Sequence, residues 1–266
     1  MTILQSFLFF LVSFGASIVG AICGIGGGVI IKPTLDMFGW VSVSTISFLS
    51  GCTVLSMSCY SVSKTMMAKE KSVDLKTVTP LAIGAAIGGV MGSHLFSYVK
   101  SLFADPNMAG AVQAGCLAVV TLGTLLYTIF KAKIKVHHMK GALLCLIIGL
   151  LLGIMSSFLG IGGGPINLVV LFFFFGMDTK TAASNSLYII LFSQFASVMT
   201  TIIKGNVPAF QLITLLFMVF GGISGGMVGR KINKKLDNKA VDKLFLGLMA
   251  VIILISIYNM VKYLNV

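Results

Sequence analysis

Charge is scarce in this chain. Only 10% of its 266 residues are charged and only seven are acidic, whereas a soluble domain of this size carries about 25% charged residues. With 57% hydrophobic residues and a mean hydropathy of +1.05, too few polar side chains remain to coat a single core. An ordinary soluble domain is excluded. Three histidines, two of them adjacent at His137-His138, cannot be arranged into a Ser–His–Asp set or a His/Asp/Glu metal cluster. No enzymatic activity, metal or cofactor is therefore expected. The five cysteines (Cys23, Cys52, Cys59, Cys116 and Cys145) form no C-x-x-C pair and lie within apolar segments. They indicate neither a disulfide framework nor a zinc site and read as small buried hydrophobes. Met1-Thr2-Ile3-Leu4-Gln5 lacks a basic n-region and no cleavage site follows, so the chain reads as carrying no removable signal peptide.

What is present is a succession of apolar runs near the ~20 residues that cross a bilayer. They read as Ile3–Cys23, Val29–Phe38, Val41–Ser63, Leu75–Tyr98 and Met108–Phe130, then Ala142–Leu159, Ile166–Phe175, Thr179–Ile203, Ala209–Arg230 and Val241–Tyr263. The net charge of +12 invites a nucleic-acid partner, but the basic residues concentrate in Lys64–Lys76, Lys131–Lys140 and Arg230–Lys243. These stretches separate apolar segments, as cytoplasmic loops do, and nucleic-acid binding is rejected. Placing all three on one side requires Ala142–Phe175 to make no net crossing. The expected fold is an all-α polytopic membrane protein of the cell membrane, with a first repeat at 1–131, a basic cytoplasmic linker at 132–140 and a second repeat at 141–266. Each repeat holds three full crossings and a glycine-broken re-entrant pair, and the odd crossing count inverts the second repeat relative to the first. Lys204 and the Lys100/Asp105 loop then fall outside. In the alternative, Ile3–Cys23 spans alone, which makes the repeats parallel and leaves Arg230–Lys239 breaking the charge rule.

The repeat itself is explicit. Gly24-Ile25-Gly26-Gly27-Gly28 returns 136 residues later as Gly160-Ile161-Gly162-Gly163-Gly164, and Gly84, Gly88, Gly89 and Gly92 return 137 residues later as Gly221, Gly225, Gly226 and Gly229. Neither GIGGG run continues as G-x-G-x-x-G or as a P-loop. Paired breaks in short apolar segments mark the binding site of a transporter. Irregular backbone at membrane depth must be covered by protein or line a cavity, so the two turns should meet near the midplane. Gly24, Gly26, Gly27, Gly28, Gly160, Gly162, Gly163 and Gly164 then let a ligand approach bare backbone, and the helix N-termini that follow favour an anion.

All seven acidic residues read as loop or segment-end residues, so no buried carboxylate is expected and an anion is a better substrate than a cation. Lys32 is either a counter-charge for that anion or a snorkelling side chain. His94 reads as a packed or interfacial histidine that could titrate near neutral pH. Hydroxyl-rich stretches follow each pair: Ser42, Ser44, Thr45, Ser47, Ser50 and Thr53, then Thr179, Thr181, Ser184, Asn185, Ser186 and Gln194. Ser47, Asn167, Ser184, Asn185, Ser186 and Gln194 complete the candidate substrate-binding set. The Gly-x-x-x-Gly-x-x-x-Gly stripes read as close helix packing.

Gly24-Ile25-Gly26-Gly27-Gly28 through Lys32-Pro33, Gly160 to Pro165, Gly176 to Leu187 and the glycine stripes resemble the TauE/SafE sulfite exporter family over essentially the whole chain. Lys32 stands where an apolar residue is expected in that family, and Phe48-Leu49 replaces the small polar pair that the second half shows as Asn185-Ser186. The resemblance implies secondary transport, often outward, of small sulfur-containing anions such as sulfite or organosulfonates. The expected partners are that anion and the lipid bilayer, with a proton travelling on the anion itself. An anion channel of the same architecture is the alternative.

Overall fold

The computed structural model describes residues 3–68, 73–103, 106–139 and 141–265, so Glu70, Asp105 and Lys140 of the sequence reading lie outside the described residues. The apolar segments become ten α-helices: α1 (Ile3–Cys23), α2 (Gly28–Phe38), α3 (Val43–Met67), α4 (Leu75–Leu102), α5 (Pro106–Phe130), α6 (Ala142–Leu159), α7 (Gly164–Phe175), α8 (Thr179–Ile203), α9 (Leu212–Lys235) and α10 (Asn238–Leu264). All except α2 and α7 are long and apolar enough to cross a membrane. The chain is a multi-pass membrane protein.

Each short helix doubles back on the long helix before it. Trp40, just past α2, stacks its ring on Phe9 of α1 with centroids 6.1 Å apart. In the second half the linker closes the pair: His137 N–H donates to Phe173 O at 2.8 Å and Met139 N–H to Phe174 O at 2.9 Å. The start of α6 and the end of α7 therefore sit at the same end of the molecule. There Lys131 pairs with Asp242 at 2.6 Å, the Arg230 guanidinium donates to Ser61 O at 2.9 Å, and the Lys180 ammonium donates to Leu236 O at 3.0 Å. These contacts gather the basic segments at one end. At the opposite end Lys100 donates to Ser44 Oγ at 3.0 Å and Thr45 Oγ1 to Ala209 O at 3.2 Å.

The glycine stripes pack helices as their spacing predicts, but across the halves. A Cβ on Gly84 or Gly88 of α4 would enter the backbone of α6 at Leu146 or Leu150, and one on Gly225 or Gly229 of α9 would enter α1 at Phe14 or Ile18. Ascending numbers face ascending numbers, so α4 runs parallel to α6 and α9 parallel to α1. Without Cβ atoms the axes approach until backbone touches backbone, the usual use of such stripes in membranes. The equivalent helices α5 and α10 run antiparallel instead, with Gly110 facing Tyr263 and Gly115 facing Met260. One apolar cluster, including Ile25, Ile161, Leu168, Leu171 and Phe245, runs through residues from both halves.

Two sequence expectations fail here. Cys59 and Cys116 are exposed while Cys23 and Cys145 are buried, because the first two fall on outward faces of α3 and α5. Asp36 is 5% exposed, enclosed where the end of α2 is wrapped by neighbouring helices, so the expected absence of a buried carboxylate does not hold.

Candidate functional site

The two GIGGG turns meet at the centre of the fold. Gly28 is so close to the opposite turn that a Cβ would lie 2.8 Å from Ile161 O, and a Cβ on Gly164 would overlap the backbone of Ile25. Gly26 and Gly162 both face Val54 of α3 and Ile190 of α8. Six of the turn glycines (Gly24, Gly26, Gly27, Gly160, Gly162 and Gly163) have φ between 62° and 79°, the left-handed region open to glycine at little cost. Two chain reversals of this sharpness, packed tip to tip, explain the composition of the repeated motif.

Above the tips, toward the Lys100/Lys204 end, lies a cavity of about 500 Å³. Ser47 and Gly51 of α3, Ser93, Ser97 and Lys100 of α4, Gly160, and Gln194, Ser197, Thr201 and Lys204 of α8 line it. Its lining contains two lysines and no carboxylate among the described residues. Gln194 forms the floor: its Oε1 is 3.2 Å from the Cβ position of Gly51 and its Nε2 3.5 Å from that of Gly162. The Ser47 and Ser157 hydroxyls in the wall are buried and have no hydrogen-bond partner among the described residues. Toward the basic end, a corresponding cavity of only about 50 Å³ is lined by Ser61, Thr65, Ser184, Arg230, Asn233 and Lys234. Arg230 spans it, donating to Thr65 Oγ1 at 2.6 Å.

Of the residues singled out in the sequence, the structure brings Ser47, Gly160 and Gln194 together in the wide cavity, with Gly162 just below. The other turn glycines are packed against protein. Gly24 abuts Ala183, Gly27 abuts Ala16, and Gly163 abuts Ser156 and Asn167. Asn167 is 1% exposed and its Oδ1 has no partner among the described residues. Ser184, Asn185 and Ser186 do not join this group. Ser184 lines the narrow cavity; Ser186 is buried with its hydroxyl unpartnered among the described residues. Asn185 accepts from Asp74 N–H at 3.1 Å and donates to Thr181 O at 2.7 Å, fastening the start of α4 to α8.

Lys32 does not snorkel. It is 4% exposed and its ammonium lies 2.8 Å from Asp36 Oδ2, so its charge is balanced inside the protein. His94 is exposed and its Nδ1 lies 3.0 Å from the Lys204 ammonium. Sequence reading missed Ser93, Ser97 and Lys100, and Ser197, Thr201 and Lys204. Their shared i, i+4, i+7 spacing puts each trio on one helix face, which is the signal that could have found them.

A family described as "Sulfite exporter TauE/SafE" matches residues 9–256. Among curated proteins, the chain is similar to "Probable membrane transporter protein YunE" of Bacillus subtilis (strain 168), 25% identical over 222 residues that cover 76% of this chain and 80% of that protein. No solved structure matches.

Proposed function

The chain belongs to the TauE/SafE family, and from that premise we propose that it is an alternating-access carrier of small sulfur oxyanions, such as sulfite or an organosulfonate. The observation that carries this reading is the inequality of the two cavities. About 500 Å³ on one side of the paired turns faces about 50 Å³ on the other, so the centre is reachable from one end only. With the basic loops placed in the cytoplasm, the two repeats are inverted across the bilayer and the wide cavity faces outward. Two lysines at its mouth and hydroxyls along its walls suit an anion rather than a cation. Ser47 and Gln194 are positioned to hydrogen-bond its oxygens, with Gly160 giving access to the backbone.

The moving bodies in this reading are not the two halves of the sequence. Backbone-to-backbone stripes join α1 to α9 and α4 to α6, so these pairs travel as rigid units. The turns then exchange which side they close.

Thermal stabilisation of the purified protein by sulfite, thiosulfate, sulfoacetate, sulfate, chloride and carboxylates tests the substrate class. Stabilisation by one sulfur anion above the rest, lost in Gln194→Ala, is the expected result. Equal response to chloride and carboxylates overturns it. Counterflow of labelled anion in proteoliposomes separates a carrier from a channel, because only a carrier exchanges substrate across the membrane against its own gradient.

A further inference from the structure

A third, much smaller polar chamber of about 10 Å³ lies beside the turns, lined by Lys32, Asp36, Gln113, Ser256 and Asn259 among apolar neighbours. Acceptors outnumber donors in it. Asp36 Oδ1, Gln113 Oε1, Asn259 Oδ1 and Ser256 Oγ are all buried and none has a hydrogen-bond partner among the described residues. The amide orientations are fixed from outside: Gln113 Nε2 donates to Phe158 O at 2.5 Å and Asn259 Nδ2 to Pro33 O at 2.8 Å. A carbonyl can only accept, so each amide oxygen must turn the other way. The chamber is rich in acceptors, against which it holds the Lys32 ammonium and the Ser256 hydroxyl as donors. Corresponding places in the second half carry Leu168, Val169, Phe172 and Phe173, so the feature belongs to one half alone.

Lys32 does not line the wide cavity, but it packs against Gly160, which does. The point where Gly160 would carry a Cβ is 3.1 Å from Lys32 Cε and 3.1 Å from Ser47 Oγ. The lysine stem therefore passes beside Gly160, the residue that separates it from the cavity. The other titratable groups facing the pair come from α10: Tyr263 against Asp36 and Lys262, whose ammonium donates to Met37 O. Helices α1, α5 and α7 bring no charged side chain, and the lysine of α3, Lys64, lies in its last turn at the basic end.

We infer that Lys32 and Asp36 form a proton-coupling site, in which the ammonium leaves Asp36 for an anion held at Ser47 and Gly160 while Asp36 takes up a proton. This rests on the anion-carrier reading above. An isolated buried carboxylate is expensive, so it cannot be left charged once Lys32 turns away. A proton on Asp36 removes the charge and adds a donor to its acceptor-rich chamber. Lys32 stays protonated throughout, and the proton comes from water in the wide cavity. One proton thus enters with each anion bound.

The test uses the full chain in lightly buffered detergent, with sulfite and thiosulfate as probes, reading anion binding by calorimetry and proton uptake with a pH dye. Wild type is expected to take up about one more proton per bound anion than Asp36→Asn, which binds at least as tightly because Lys32 is already free. Lys32→Met should bind about tenfold or more weakly, the scale of one lost charge-assisted hydrogen bond. Wild-type proton uptake needs no substituted protein, so misfolding of either variant leaves the question decidable. Binding with equal proton uptake in wild type and Asp36→Asn overturns the coupling role alone. Wild-type binding without uptake beyond the anion's own, or only in the presence of sodium, does the same. Failure of wild type to bind either probe overturns the anion reading and the coupling with it.

Discussion

At the scale of single residues, the site depends on side chains that are absent as much as on those present. Gly160 holds φ at 66° with Lys32 and Ser47 crowded round its missing Cβ. Gly160→Ala must strain its backbone and press on both neighbours, and the expected outcome is anion affinity reduced about tenfold, the equivalent of ~1.4 kcal/mol from backbone strain. Calorimetric titration checks it, with thermal unfolding as the control for global damage. Asp178 gives a second, independent prediction. Partial burial pushes its carboxyl upward, but hydrogen bonds from Thr181 Oγ1 and from the Thr181 and Lys180 N–H groups outweigh this and hold it below the usual carboxylate value. A depressed folded value means that its contribution is present above the unfolded carboxylate range and is lost as pH falls through the folded value. Asp178→Ala should remove about 1 kcal/mol at neutral pH as a lost helix cap. The gap in melting temperature from wild type should narrow below about pH 4.

At the scale of elements, the glycine stripes offer the sharpest mechanical prediction. A side chain on Gly88 or Gly225 meets a carbonyl of the partner helix, which cannot yield without moving the whole axis. Gly88→Val and Gly225→Val should each lower stability by about 3 kcal/mol or more, read as the denaturation midpoint in detergent. Gly123→Val, with open space around it, should change little. These stripes were legible in the sequence because a four-residue glycine spacing has few other uses within a membrane helix. The short α2 and α7 were legible for a related reason, since ten apolar residues after a glycine run cannot complete a crossing. Partners were not. Which helix a stripe meets depends on tertiary arrangement, so the pairing of α4 with α6 and α9 with α1 left no mark in composition. Asp36 misled for the opposite reason: a carboxylate two residues from a helix end reads as solvated, and only the helices folded round it reveal Lys32 as its partner. Asn185 looked like a ligand because polarity in an apolar run is conspicuous, yet its amide fastens backbone.

At the scale of the whole molecule, access from a single end is the property to test. In chains whose native cysteines are replaced, Ser97→Cys and Thr201→Cys in the wide cavity should react with a membrane-impermeant thiol reagent added outside. Thr65→Cys, at the narrow cavity, should be protected from both sides in the same preparation. Accumulation of a transported anion should reverse the ranking by at least several-fold if the protein switches between two states, and equal reactivity of all three positions from both sides would show a continuous pore. The crossed pairing of α1 with α9 also bears on biosynthesis. Helix α1 has its glycine-striped mate at residues 221–229, which are synthesised long after it. Until then it must wait in lipid without the surface that completes it, its polar Ser13 and Ser17, fully covered in the finished fold, still lacking their shelter. Neither half made by itself can close, and the two made as separate polypeptides should recover transport only when they are synthesised together.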